Sequence, residues 1–344
     1  MRCIYTGKTE SEATFKNVEH IFPAGIGGIK TLPLGDVSDE INNYFSKLEL
    51  NFIRESIIQL PRMVNGPGKR GTLNIKNATQ SKIFLMKSEE EEKLGYIKLG
   101  IPYTIPQLII KNKKIKIHFP KEETQKLLLL LEKFEKEVNN LDEKRINFIE
   151  SKNSIIIGYH KEKIYLTQNK LNEIEKLITE NKIFEKIKEK VFMGESFGYG
   201  AEKVNCKIKL KFNMDFYYRV CAKIALNGAC YLLGKEHIFS NDFSEIKKYI
   251  LGGQENNFVS LTGDNRKGFE DLFKRLNISF NSHAMIFSIL DNKLVCILKI
   301  YSFYHEVTLG KIYKNIFPVT GLICDWENKR EFTLMEYLIK EYKI

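Results

Sequence analysis

Paired cysteines are missing from this chain of 344 residues: the six it has stand at 3, 206, 221, 230, 296 and 324, with no C-x-x-C spacing among them. That dispersion excludes a zinc ribbon and a disulfide framework, and it suits a reducing cytosol. No uninterrupted apolar run approaches the roughly twenty residues needed to span a bilayer. The opening residues, Met1-Arg2-Cys3-Ile4-Tyr5, contain no apolar h-region. A cytoplasmic protein with no membrane partner is therefore expected. Phosphate-cradling loops are lacking as well. Gly66-Pro67-Gly68-Lys69-Arg70-Gly71 does not have Walker A spacing, and the stretch from Gly194 to Gly200 has no Lys-Ser or Lys-Thr ending. Internal repeats do not emerge.

Negative charge is in deficit, with 54 Lys and Arg against 43 Asp and Glu, a net charge of +11. Such a balance favours a polyanionic partner, and nucleic acid is the economical choice because Lys and Arg neutralise phosphates and release counterions. A lysine-rich, isoleucine-rich and asparagine-rich composition also arises when lysine simply solvates a surface, so charge alone does not decide. The 43% hydrophobic fraction and the length allow two or three domains with a sizeable core.

The most informative stretch is Glu19-His20-Ile21-Phe22-Pro23, followed by Gly27-Gly28 and then by Asn42-Asn43. Hydrolysis of a phosphodiester calls for a base to activate water and a divalent cation to hold the phosphate. Glu19 offers a hard oxygen ligand, His20 a base that titrates near neutrality, and Asn42 a neutral oxygen ligand. The dipeptide alone carries little weight. Glu236-His237-Ile238-Phe239 repeats it without the Pro, Gly-Gly or Asn-Asn context and reads as structural. His118, His160, His283 and His305 lie scattered beside apolar neighbours and read as core or surface residues.

With that context, roughly residues 1–60 resemble the HNH endonuclease family, in the branch where E-H-I-x-P-x-x-x-G-G precedes V-x-x-x-x-N-N-x-F-x-K-x-E. Here the second part runs Val37-Ser38-Asp39-Glu40-Ile41-Asn42-Asn43-Tyr44-Phe45-Ser46-Lys47-Leu48-Glu49. The resemblance implies a ββα-metal module with His20 as general base. It also implies Glu19 and Asn42 as ligands of Mg²⁺ or Mn²⁺, Asn43 being the fallback if the helix is rotated by one residue. Many relatives frame the site with two C-x-x-C pairs around zinc. The equivalent positions here are Cys3, Thr6, Ser38 and Ile41, so three of four ligands are missing and a structural zinc is not expected. Packing must hold the module instead, through Ile4, Phe15, Ile21, Phe22, Val37, Ile41, Phe45, Leu48 and Phe52.

The expected fold is α+β: a small ββα-metal module over 1–71, then a larger mixed α/β recognition or regulatory domain over 72–344, with a sub-boundary near 195–213. Short strands are expected at Cys3 to Tyr5 and Val18 to Phe22, and a helix from about Ser38 to Gln59 with Ser38 as N-cap. Further on, the pattern predicts strands at 73–76, 83–86, 96–99, 106–110, 114–119, 154–158, 163–166 and 206–212. Helices are predicted at about 121–140, 169–192, 214–233 and 243–251. Strands at 284–290, 294–300 and 303–309 follow, with Asp291-Asn292 as a hairpin turn. Ala222, Ala225, Gly228 and Ala229 suggest close packing of the 214–233 helix against another helix.

The function expected from the resemblance is metal-dependent endonucleolytic hydrolysis of DNA, in defence against foreign (phage) DNA. Lys47, Arg54, Lys69 and Arg70 are the candidate phosphate contacts; a homodimer or a regulatory partner is allowed for, and the C-terminal region or a partner would gate activity. The site residues do not discriminate RNA from DNA. The alternative is a catalytically inactive HNH-derived module that binds nucleic acid or a protein partner.

Overall fold

The computed structural model describes all residues except 69–79, 88–90, 112–113, 120–123, 140–145, 152–153, 169–175, 177–179, 181, 193–211, 253–254, 262–265, 313–318 and 344. The fold is mixed α+β. The N-terminal region supplies α1 (Asp39–Glu55) and α2 (Gln59–Asn65). The middle supplies β1 (Phe84–Lys87), β2 (Glu92–Lys98), β3 (Ile101–Thr104), β4 (Gln107–Lys111), β5 (Lys114–His118), α3 (Thr124–Asn139), β6 (Ile146–Phe148), β7 (Ile155–His160), β8 (Lys163–Leu166) and α4 (Ile183–Phe192). The rest supplies α5 (Met214–Leu233), α6 (Lys235–Ile238), α7 (Ser244–Ile250), β9 (Val259–Leu261) and α8 (Arg266–Arg275). It closes with β10 (His283–Leu290), β11 (Lys293–Ile300), β12 (Phe303–Lys311), β13 (Thr320–Asp325), β14 (Arg330–Thr333) and α9 (Leu334–Tyr342).

The chain divides into two compact units that differ from the expected 1–71 and 72–344. One joins Met1–Thr79 to Leu210–Ile344, and the other is Gln80–Lys209. The physical reason is a shared core. The nine apolar residues expected to pack the N-terminal module are all buried. They bury against α5 and the sheet behind it, in one cluster with Tyr217, Val220, Ile224, Met285 and Trp326. Phe52 of α1 stacks on Tyr217 of α5 with ring centroids 5.3 Å apart. A module this small buries only a modest share of its apolar surface by itself. The segment 210–344 returns to complete it.

In this first unit six antiparallel strands run in the order β14-β13-β10-β11-β12-β9. Alternate residues of β10 face opposite layers, as strand geometry requires. Met285 and Phe287 join the core of α1 and α5, whereas Ala284 and Ile286 join Phe273 of α8 and Tyr337 of α9. Coverage on both faces explains why β10 and β11 read as near-continuous apolar runs. Gly228 of α5 lies against these strands: a Cβ there would fall 2.0 Å from the Met285 sulfur. The small residues of α5 thus admit a sheet at that point, where helix packing was expected.

The second unit holds a three-stranded sheet, β1-β2-β3, and a five-stranded one, β5-β4-β7-β8-β6. Phe134 of α3 and Phe184 of α4 bury among Leu108, Ile157 and Leu166. The five-leucine run 127–131 lies in α3, where Leu131 is buried.

Several elements match the periodicity closely, α5 and β8 to the residue. The expected strands at Cys3 to Tyr5 and Val18 to Phe22 are reduced to isolated bridges, Arg2 with Thr9 and His20 with Thr31. The helix expected to reach Gln59 breaks at Ser56, whose hydroxyl folds back onto the Phe52 carbonyl at 2.5 Å. The predicted strand 73–76 and residues 206–211 lie outside the described residues, as does much of 169–181. Asp291 and Asn292 both take left-handed φ values, 50° and 58°, in the tight turn joining β10 to β11. Asn292→Val should therefore destabilise the protein by about 1–2 kcal/mol, read as a lower urea midpoint with an unchanged slope.

Candidate functional site

The motif folds as a hairpin followed by a helix. Ile21 N–H donates to the Lys30 carbonyl at 3.0 Å and Leu32 N–H to the Glu19 carbonyl at 2.8 Å, closing the loop that carries Gly27 and Gly28. Gly28 admits no side chain, since a Cβ would fall 1.9 Å from the Phe22 carbonyl oxygen. The carboxylate of Glu331 then receives Ile29 N–H at 3.0 Å and Lys30 N–H at 2.5 Å, fastening the loop to β14.

Ser38 is the N-cap residue of α1 in extended conformation, but its side chain makes no capping bond. Asp39 does the local work. Its carboxylate accepts from Lys16 N–H and Asn17 N–H, both at 3.0 Å, and hydrogen bonding from Thr14 first among these holds it down to about 2. This ties the 14–17 loop to the helix start and places Asn42 beside Val18, just before the motif acid. The Asn42 amide donates to the Val18 carbonyl at 2.9 Å.

Glu19 and His20 have different surroundings. Glu19 is 5% exposed and forms an ion pair with Lys223 of α5, which is itself completely buried. The Lys223 ammonium also donates to Glu49 of α1 at 2.7 Å and to the His20 carbonyl at 2.9 Å. One turn along α5, the Asn227 amide donates to that same carbonyl at 3.0 Å, while its oxygen accepts from the Tyr5 hydroxyl at 2.6 Å. Every strong hydrogen-bonding position of the Lys223 ammonium is thus an oxygen, two of them anionic. Burial pulls Lys223 down, but the Glu19 and Glu49 carboxylates outweigh it and leave the ammonium above its ordinary value. Burial pushes Glu19 up, Lys223 pulls it back, and Glu49 adds a push upward.

The His20 imidazole is half-buried, and among the described residues it makes no side-chain hydrogen bond. Burial first, and then the Lys223 charge, hold it below its ordinary value, with Glu49 pulling the other way. It is neutral at neutral pH and retains the lone pair of a base.

The structure thus brings Glu19, His20 and Asn42 into one neighbourhood but gives Glu19 a different partner from the one expected. Its carboxylate is enclosed with an ammonium, and a divalent ion beside that ammonium would meet like charge within contact distance. The donor set in this arrangement does not fit a metal held by Glu19 and Asn42. Among the described residues no three His, Cys, Asp or Glu side chains converge as a metal group. Asn43, Lys47 and Arg54 are exposed on α1, whereas Lys69 and Arg70 lie outside the described residues. Cys3, Thr6 and Ser38, three of the four positions where the resemblance would put zinc ligands, meet in space. Burial pushes the Cys3 thiol up, but hydrogen bonds with the Thr6 side chain and the Ser38 backbone bring it below its ordinary value.

Sequence reasoning missed Lys223, Asn227 and Tyr5, and placed Glu49 as the last residue of the Val37 to Glu49 motif segment. A signal was present: Lys223 is a lone cation within the apolar run from Val220 to Ala229, and a buried charge requires a partner. Comparisons of the chain with protein-family models, with curated proteins and with solved structures found no match.

Proposed function

We propose that the protein is an HNH-derived module that binds nucleic acid without cleaving it. The observation that carries this reading is the burial of Glu19 with Lys223 and Glu49. An acid committed to a buried ion pair is withdrawn from catalysis, because freeing it exposes an uncompensated charge. The hairpin-helix arrangement and the meeting of Cys3, Thr6 and Ser38 support descent from an HNH scaffold. The net charge of +11 supports a polyanionic partner. Lys47 and Arg54, on the exposed side of α1, are the phosphate contacts in this reading.

The test combines fluorescence anisotropy on a labelled DNA duplex with a supercoiled-plasmid assay in Mg²⁺, in Mn²⁺ and in a chelator. Binding should weaken with salt, with a log–log slope of about −0.9 per phosphate contact. Lys47→Glu with Arg54→Glu should weaken it and flatten the slope by about 1 per residue. The plasmid should stay supercoiled in all three conditions. Absence of salt-sensitive binding would refute the reading.

A second reading is favoured by His20, whose neutral, half-exposed ring suits a general base. In an HNH endonuclease His20 would take a proton from water, the water oxygen would bond to phosphorus, and the P–O3′ bond would break with its electron pair left on O3′, which takes a proton from solvent to become the 3′-hydroxyl. Metal-dependent nicking that disappears in His20→Ala would establish this reading and displace the first.

A further inference from the structure

The cage around the Lys223 ammonium has the composition of a divalent-cation site. Two carboxylates from separate elements, Glu19 and Glu49, and one main-chain carbonyl, that of His20, converge on one buried point. The hydrogen-bonded chain from Tyr5 through Asn227 fixes the carbonyl in place. Hard, partly anionic oxygens of this kind are the ligands Mg²⁺ and Mn²⁺ select. The point is already filled by positive charge, delivered on a side chain from α5. Two carboxylates face one ammonium, and a divalent ion would balance both.

The geometry points to Lys223 as a tethered cation that occupies a metal seat, so that the motif keeps its shape with no ion bound there. This rests on the proposed function, since it explains how the HNH scaffold persists without its catalytic ion. Two consequences follow. The native protein has no divalent site that depends on Glu19. Shortening residue 223 to alanine removes the charge and opens the cage, leaving the buried Glu19 carboxylate and the partly buried Glu49 carboxylate to recruit an ion.

The experiment is Mn²⁺ titration by calorimetry and by thermal unfolding on the full chain, with wild type, Lys223→Ala, and the double variant Glu19→Gln with Lys223→Ala. Wild type should keep its Tm in chelator and in millimolar Mn²⁺. Lys223→Ala should bind one Mn²⁺ and recover several degrees of Tm with it, and the double variant should lose that gain. A Mn²⁺ site in the wild type that Glu19→Gln abolishes would overturn the inference. So would a folded Lys223→Ala that gains no site, or a Lys223→Ala that stays unfolded when refolded in Mn²⁺. The readouts involve no nucleic acid. Loss of DNA binding would remove the nucleic-acid partner and leave the tethered cation standing, a folded Lys223→Ala that gains no site would remove the tethered cation alone, and a wild-type Mn²⁺ site on Glu19 would remove both the tethered cation and the non-cleaving reading.

Discussion

Lys223→Met is expected to cost the unit that carries the motif about 3–5 kcal/mol, the usual cost of deleting one partner of a buried ion pair. The stem of Lys223 is completely buried and methionine fills much the same volume, so little of the loss comes from a cavity. The loss comes from Glu19, which is left in the interior with Glu49 as its only charged neighbour in the cage. Glu19 responds by taking up a proton. A carboxyl whose folded pKa is raised costs stability at pH values above its unfolded pKa, and that cost is relieved as pH falls through the folded pKa. The gap between variant and wild type should therefore be widest near pH 8 and narrow toward pH 5. Urea midpoints across that range test it; a pH-independent gap would assign the loss to packing instead.

The second large effect is acid sensitivity seated in His283 and His305, both completely buried. His283 Nε2–H donates to the Ile26 carbonyl at 3.0 Å, while Nδ1 accepts Tyr301 N–H at 3.1 Å, so the ring is held as one neutral tautomer. His305 is bonded to the Tyr217 hydroxyl at 2.7 Å and to the Leu298 carbonyl at 3.3 Å. Protonating the accepting nitrogen of His283 would turn it against a backbone N–H. Burial pulls His283 down to about 3 and His305 to about 4. A histidine with a lowered folded pKa leaves the unfolded chain binding more protons below about pH 6.5, so stability falls as pH drops from there toward the folded value. At 1.36 kcal/mol per pKa unit, each should cost roughly 3 kcal/mol by pH 4. His283 grips the motif loop at Ile26, so its share of the acid loss falls on that loop. Thermal unfolding between pH 7 and 4 should show a falling Tm, and His305→Gln should flatten part of the fall. An invariant Tm would contradict the assignment.

How much of this was legible in the sequence depends on how far apart the partners are. Helix α1 was readable because Ile41, Phe45, Leu48 and Phe52 recur at helical spacing and are all buried. Helix α5 was readable because its apolar run is bounded by Asn213, which caps Asp215 and Phe216 through its side chain, and by Gly234 with φ of 92°. The β10–β11 hairpin announced itself through two residues that tolerate left-handed φ. The C-terminal β13, β14 and α9 went unread, although Thr333 and Glu336 form a reciprocal capping box.

The division of the chain was not legible, because apolar periodicity says that a face is covered and not by what. Residues 1–71 look self-sufficient until α5 is seen to supply their other wall. The site suffered the same limit. Glu19, His20 and Asn42 were identifiable from their local pattern, but the contact that redefines Glu19 comes from a lysine, and His20 and Lys223 stand 203 positions apart. Short-range spacing carries no information about such a partner. Only the oddity of a cation in an apolar helix does.

The most direct test of the account is a double-mutant cycle on Glu19→Gln and Lys223→Met, with unfolding free energies measured in chelator and again in Mn²⁺. Each single variant should be destabilised, the double variant should be more stable than their sum by about 1.5 kcal/mol or more, and Mn²⁺ should leave the wild-type value unchanged. Strict additivity, together with a wild type stabilised by Mn²⁺ through Glu19, would place a metal and not Lys223 on the motif acid and would contradict it.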